Sequence, residues 1–258
     1  MRRFGLSLVA SFVTLSAIAC AESSWAQSLK VAGSEPWVVH DKSSNASTGL
    51  YVDLTNAVAK DAGLKVDFQA MTFADLIPAL TGGKIDIIAT FLAITPERKQ
   101  QIDFSIPIYN APTEALVVPA SDATAYRSLA DLKGLPVGTQ KGSIQFALLQ
   151  RTGGFSEIKT YDTTNEAWAA VASGAVKAAI TAGADTIYAA KRGQLSNLRI
   201  VSSYQSPSQR PLVGIAVQKG NSALLAKIND SLVKLERDGT VKAIYAKYGF
   251  DDWAPPSG

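Results

Sequence analysis

The chain has 258 residues, 47% of them hydrophobic, and a formal net charge of +3 from 25 basic and 22 acidic side chains spread evenly along it. That balance offers no basic stripe for nucleic acid, and the lack of any low-complexity tract makes the chain read as globular. A single cysteine, Cys20, excludes a disulfide framework, and His/Cys metal-ligand spacing is absent.

Met1-Arg2-Arg3, the apolar run from Phe4 to Cys20 and the small-residue pattern Ser24-Trp25-Ala26 form a secretory signal peptide with cleavage after Ala26. The apolar run falls short of the ~20 residues that cross a bilayer, which disfavours an anchor. Cys20 loosely fits a lipid-attachment box but lacks the usual leading leucine, and cleavage after Ala26 discards it. Export without a remaining cysteine fits a bacterial periplasm.

Leu29 to Ala32 is a short strand, and after a polar loop Leu50 to Ala62 has helical spacing up to Gly63. Leu64, Val66 and Phe68 alternate as a strand. Thr72-Phe73-Ala74-Asp75 has the form of a capping box, opening a helix that ends near Gly82-Gly83. Lys84 to Leu92 is almost wholly apolar, the pattern of a strand buried on both faces. Strand, helix, strand, helix, strand predicts an α/β sheet with crossover connections.

A second series follows: a helix near Ser128, strand Leu135 to Thr139, helix Ser143 to Gln150, strand Glu157 to Tyr161 and helix Asn165 to Ser173. It continues with strand Val176 to Thr181, helix Asp185 to Lys191 and strand Leu198 to Val201. Two α/β units are therefore expected, joined near Tyr109 to Pro119. Pro211 to Gln218 is strand-like, and an Asn221-capped helix from Ser222 to Arg237 precedes another from Thr240 to Tyr248. Periodicity leaves open which unit these last elements join.

Chemistry concentrates first at Arg98. Thr95 caps a helix, Pro96 suits its first position, and Arg98 falls in the first turn, where positive charge opposes the helix dipole. Such a placement calls for a negative partner, either an anionic ligand or a carboxylate such as Glu97 or Asp103. Gly142-Ser143 sits between a strand and a helix start, where backbone N–H groups meet anions, although by itself an ordinary serine cap is the commoner explanation. Trp37 and Phe73 lie at the strand-to-helix edge where α/β sheets hold ligands. His40, the only histidine, has no nucleophile partner, so no catalytic residue is assigned.

The segments "TGLYVDLTNAVAKDAGLKVDF", "MTFADLIPALTGGKIDIIA", "ITPERKQQIDFSIPIY", "SLADLKGLPVGTQKGS" and "VGIAVQKGNSALLAKINDSLVKLERDGTVKAIYAKYG" resemble, in this order, the periplasmic solute-binding proteins of polar amino-acid ABC importers. The resemblance implies a type II two-lobed fold with two crossing hinge strands and ligand trapped between closing lobes. Lobe 1 would comprise 27–112 and 213–258, and lobe 2 113–212. It implies that Arg98 grips a ligand carboxylate, that Gly142 and Ser143 donate from the opposite lobe, and that Trp37 and Phe73 sandwich the ligand. The expected partners are a small carboxylate-bearing solute and the importer's permease subunits, with no cofactor and no metal, the chain itself acting as a monomer.

Three departures from the family pattern concern specificity. Thr90-Phe91-Leu92-Ala93 stands where many relatives have Ala-Gly-Met-Ser/Thr, so Phe91 replaces a glycine and Ala93 a carboxylate-binding hydroxyl. "GAVKAAITA" ends at Ala182 where relatives place the aspartate that binds the ligand's ammonium. Asp185 could replace it from the next helix, but capping that helix is the more ordinary role; Glu114 is another acid that could compensate. A modified amino acid or an organic acid is therefore expected as ligand. A cyclohexadienyl dehydratase-like enzyme on the same fold is the alternative, and a receptor sensor domain is disfavoured because no membrane helix or kinase segment follows "YGFDDWAPPSG".

Overall fold

Leu29–Gly33 is an inner strand of the first of two five-stranded sheets, parallel to Val66–Ala70 on one side and to Ile87–Ile88 on the other. The computed structural model describes residues 28–256 except Lys42 and Asn45; the expected leader, with Cys20 and the Ala26 cleavage point, lies outside the described residues. The crossovers are α1 (Leu50–Ala62) and, after a 3-10 turn at Phe73–Asp75, α2 (Leu76–Thr81). α1 buries Leu50, Tyr51, Leu54 and Val58 along one stripe and ends at Gly63, whose φ of 66° is the left-handed stop that glycine adopts without strain. Next come α3 (Pro96–Gln101) and the edge strand Ile102–Phe104. Ala216–Gln218 fits between that edge and Ile87–Ile88, antiparallel to the latter, so the sheet is mixed rather than wholly parallel.

The second sheet has the order Glu157–Tyr161, Pro136–Gln140, Ala178–Thr181, Ala115–Pro119, Leu198–Ile200. Its first three strands are parallel, and Ala115–Pro119 runs antiparallel to both neighbours. Its helices are α4 (Ile144–Thr152), α5 (Thr164–Ala172) and α6 (Gly183–Lys191). Two lobes result, and the chain passes between them along Tyr109–Asn110 and Leu212–Val213, which pair antiparallel. The final helices, α7 (Ser222–Arg237) and α8 (Thr240–Lys247), pack against α1, and their Leu224, Ile228, Leu232 and Tyr245 join the core that holds Tyr51 and Leu54.

Three expected elements differ, each for a local reason. Thr72 and Asp75 satisfy each other side chain to side chain at 2.6 Å instead of capping backbone, and the first turn there is 3-10. Within Lys84 to Leu92 only Ile87–Ile88 is ladder-paired, because the chain bends at Thr90-Phe91, where the Leu92 N–H turns back to the Thr90 carbonyl at 2.7 Å. The Pro211 to Gln218 segment is broken at Gly214, where Ser105 enters the ladder: its hydroxyl accepts from the Ile215 N–H at 3.0 Å and donates to the Ile106 carbonyl at 2.8 Å. A Cβ on Gly214 would lie 3.0 Å from that oxygen.

Candidate functional site

Thr95 is extended, its hydroxyl accepts from the Arg98 N–H at 3.3 Å, and Pro96 opens α3. This cap fixes Arg98 in the first turn, with its side chain buried at 8% exposure. Nη1 donates to the Ala93 carbonyl at 2.8 Å and Nη2 to the Gly142 carbonyl at 3.2 Å, while the guanidinium lies 5.6 Å from the centre of the Phe73 ring. Burial lowers its pKa to about 10, with a smaller opposing pull from Glu97, so it stays cationic at neutral pH. Among the described residues no acid forms an ion pair with it; Asp103 is taken by Lys219 at 2.6 Å. Two carbonyls and a ring face supply only partial negative charge to a desolvated cation.

Arg98 opens on a cavity of about 40 Å³ between the lobes, walled by Phe73, Phe91, Ala93 and Val213 on one side and by Ile144 and Ala182 on the other. The far wall comes close because Gly142, at φ 75°, has no side chain: a Cβ there would meet the Ala74 backbone of the first lobe at 3.2 Å. Ser143 caps α4 by accepting from the Phe146 N–H, and its hydroxyl donates to the Gln140 carbonyl at 2.7 Å, so that side chain is engaged internally. Thr90 is likewise turned inward, 3.2 Å from the Ser34 hydroxyl.

Phe91 is the hub of an aromatic cluster. Its ring lies edge-on to Trp37 at 4.5 Å and within 6.2 Å of the rings of Tyr51, Phe250, Tyr109 and Tyr245. Trp37 is 2% exposed, part of the first lobe's hydrophobic core, and its indole Nε1 donates to Asp185 Oδ1 at 2.8 Å. Asp185 Oδ2 accepts from the Thr164 hydroxyl at 2.7 Å. The expectation that Asp185 caps α6 is corrected here: Ala182 is the cap residue, without a side-chain bond, and Asp185 in the first turn reaches across to the other lobe. Burial pushes its carboxyl up to about 6, against the two hydrogen bonds.

The structure thus brings Arg98, Phe73, Phe91, Ala93 and the Gly142 carbonyl to one cavity and pairs Trp37 with Asp185 behind Phe91. Glu114 faces the Tyr204 and Ser206 hydroxyls, at 3.0 and 2.7 Å. His40 pairs with Ser47 on a hairpin. Sequence reasoning missed Gln145, the polar neutral side chain on the cavity wall, and the wall residues Ala111 and Pro112 at the crossing strands; no periodicity marks them. A wider cavity of about 530 Å³ lies on the other side of Asp185, between Glu35 and Pro36 of one lobe and Thr164, Tyr188 and Arg192 of the other. No His/Cys/Asp/Glu grouping able to hold a metal occurs among the described residues.

Residues 29–251 match the profile of the bacterial extracellular solute-binding proteins, family 3. The ABC transporter glutamine-binding protein GlnH of Bacillus subtilis (strain 168) is 32% identical over 213 residues, 81% of this chain and 76% of its own length. The solved structure of an ancestral arginine-binding protein bound to glutamine is 37% identical with a TM-score of 0.78, covering 87% of this chain and 98% of that one. An ancestral amino-acid-binding protein that is a precursor of cyclohexadienyl dehydratase is 31% identical with a TM-score of 0.75, covering 86% and 94%. Two mixed sheets, paired crossing strands and a cation buried between the lobes agree with this match: the chain belongs to the bacterial extracellular solute-binding proteins, family 3.

Proposed function

We propose that the protein is the solute receptor of an ABC importer, exported to the periplasm by a leader cleaved after Ala26, and that it captures a small carboxylate-bearing solute as its lobes, 27–112 with 213–258 and 113–212, close. The observation that carries this reading is the Arg98 guanidinium, buried beside an inter-lobe cavity without an acidic partner among the described residues. Its planar fork binds a carboxylate through two parallel hydrogen bonds, which strengthen when water is excluded. Phe73 and Phe91 supply the apolar walls, Ala93 and Gly142 hold the guanidinium through their carbonyls, Ser143 and Thr90 keep the surrounding backbone in place, and Trp37 with Asp185 ties the lobes together. The relatives' names, glutamine-binding and arginine-binding, support a solute with a carboxylate. The receptor delivers this solute to permease subunits and acts as a monomer.

We read it as a binding protein: the buried acids Asp185 and Glu114 are both turned to protein donors, and among the described residues lining the cavity Arg98 is the only charged one. Incubation with arogenate or prephenate should leave either compound unchanged. Titration calorimetry against a panel of carboxylates tests the main reading. Binding should vanish in Arg98→Ala, and an Arg98→Ala protein that binds as tightly as the unmodified one would refute it.

A further inference from the structure

We infer that the solute is a short, apolar monocarboxylate without an ammonium group, an inference that rests on Arg98 as the carboxylate's partner. Charge balance is the first argument. Among the described residues that line the cavity, Arg98 is the only charged one, Gln145 is polar and neutral, and the rest are apolar, including Phe91, Ala182, Ala184 and Val213. A single buried positive charge is neutralised by a single negative one. A zwitterion would neutralise it too, but it would add an ammonium that then needs an acceptor of its own.

The buried carboxylates that could neutralise such a group already hold protein donors, and the one polar side chain on the wall, Gln145, carries no charge. The Ala93 and Gly142 carbonyls receive the guanidinium itself. Both Asp185 oxygens are engaged, one by Trp37 and one by Thr164, and Asp185 lines the wider cavity instead. Glu114 serves Tyr204 and Ser206 and does not line the space beside Arg98. The Thr181 hydroxyl, adjacent to Ala182, lies 2.9 Å from the Thr186 hydroxyl and receives the Trp168 indole N–H.

Size is the second argument. A space of about 40 Å³ takes a head group and little more until the lobes part. Phe91 stands where a longer chain would run, and its contacts with Trp37, Tyr51, Tyr109, Tyr245 and Phe250 oppose its swinging aside. Ala182 sits at φ −58° and ψ 133°, a conformation open to any L residue, so a carboxylate can be installed on this wall without backbone strain.

The test is calorimetry on the full protein, dialysed free of solute, with three matched pairs that differ by the amino group: propionate and alanine, butyrate and 2-aminobutyrate, 3-methylbutanoate and valine. Each acid should bind more tightly than its amino counterpart, by on the order of a hundredfold. Ala182→Asp should reverse that preference. A margin below about tenfold, or tighter binding of the amino acids by the unmodified protein, overturns the inference while leaving the carboxylate reading intact. Silence from all three acids overturns it too, and full affinity for them in Arg98→Ala overturns both readings.

Discussion

Replacing Asp185 with asparagine should stabilise the protein above neutral pH and weaken it by about 1 kcal/mol in acid. The carboxyl is buried, with one oxygen 2.8 Å from the Trp37 indole nitrogen and the other 2.7 Å from the Thr164 hydroxyl. Burial raises its pKa from 3.8 to about 6, and the two hydrogen bonds offset only part of that rise. The native state therefore keeps its proton through a window in which the unfolded chain has lost it. Stability from this group is fully present below the unfolded value and is lost as pH rises through the folded one. A shift from 3.8 to about 6 corresponds to about 3 kcal/mol by the top of that window. Asparagine keeps the shape and a carbonyl for Trp37, while Thr164 turns its hydroxyl to accept from the amide; that rearrangement costs about 1 kcal/mol, leaving a net gain of about 2 kcal/mol. Urea unfolding followed by circular dichroism at about pH 8 and about pH 4 measures it. A loss of stability at the higher pH, or the same shift at both, would refute the claim that a desolvated charge sits at Asp185.

Phe91→Ala should cost about 3 to 5 kcal/mol of stability, because the ring anchors five aromatic neighbours. The same change should admit longer carboxylates beside Arg98, visible as new calorimetric binding of chains that the unmodified protein rejects. Gly183→Ala places a Cβ 1.9 Å from the Thr113 carbonyl oxygen, so backbone must move, and thermal melting should report a loss of at least about 1 to 3 kcal/mol. Ser105→Ala leaves the Ile215 N–H without its acceptor; a loss of about 1 to 3 kcal/mol and faster hydrogen exchange at that amide are expected.

Elements whose signals are local were legible from the sequence. The Leu50–Ala62 and Ser222–Arg237 helices have the bounds that spacing and caps predict, with Gly63 and Asn221 at the ends. The caps at Thr95 and Ser143 likewise depend only on residues three positions apart. Pairings between distant segments were hidden. Ile87–Ile88 pairs with Leu29–Gly33 and Ala216–Gln218, segments near the two ends of the chain that no local pattern announces as its neighbours. Trp37 read as a loop residue because Pro36 precedes it in the stretch between strand and helix, yet rings brought from Phe91, Tyr188 and Phe250 cover it. Asp185 lay three residues into a helix, where capping is the ordinary role, and its actual partner is 148 positions away.

The same bond makes the protein its own optical gauge. Trp168 donates to the Thr181 hydroxyl and Trp253 to the Ile108 carbonyl, each within its own lobe, whereas the Trp37 indole donates across to the other lobe. Among the described tryptophans, parting the lobes would strip only Trp37 of its indole acceptor and admit water beside it, while the indole bonds of Trp168 and Trp253 stay intact. The Trp37 contribution to emission then reports closure, shifting to the red as the cleft opens, and Trp37→Phe isolates it by difference.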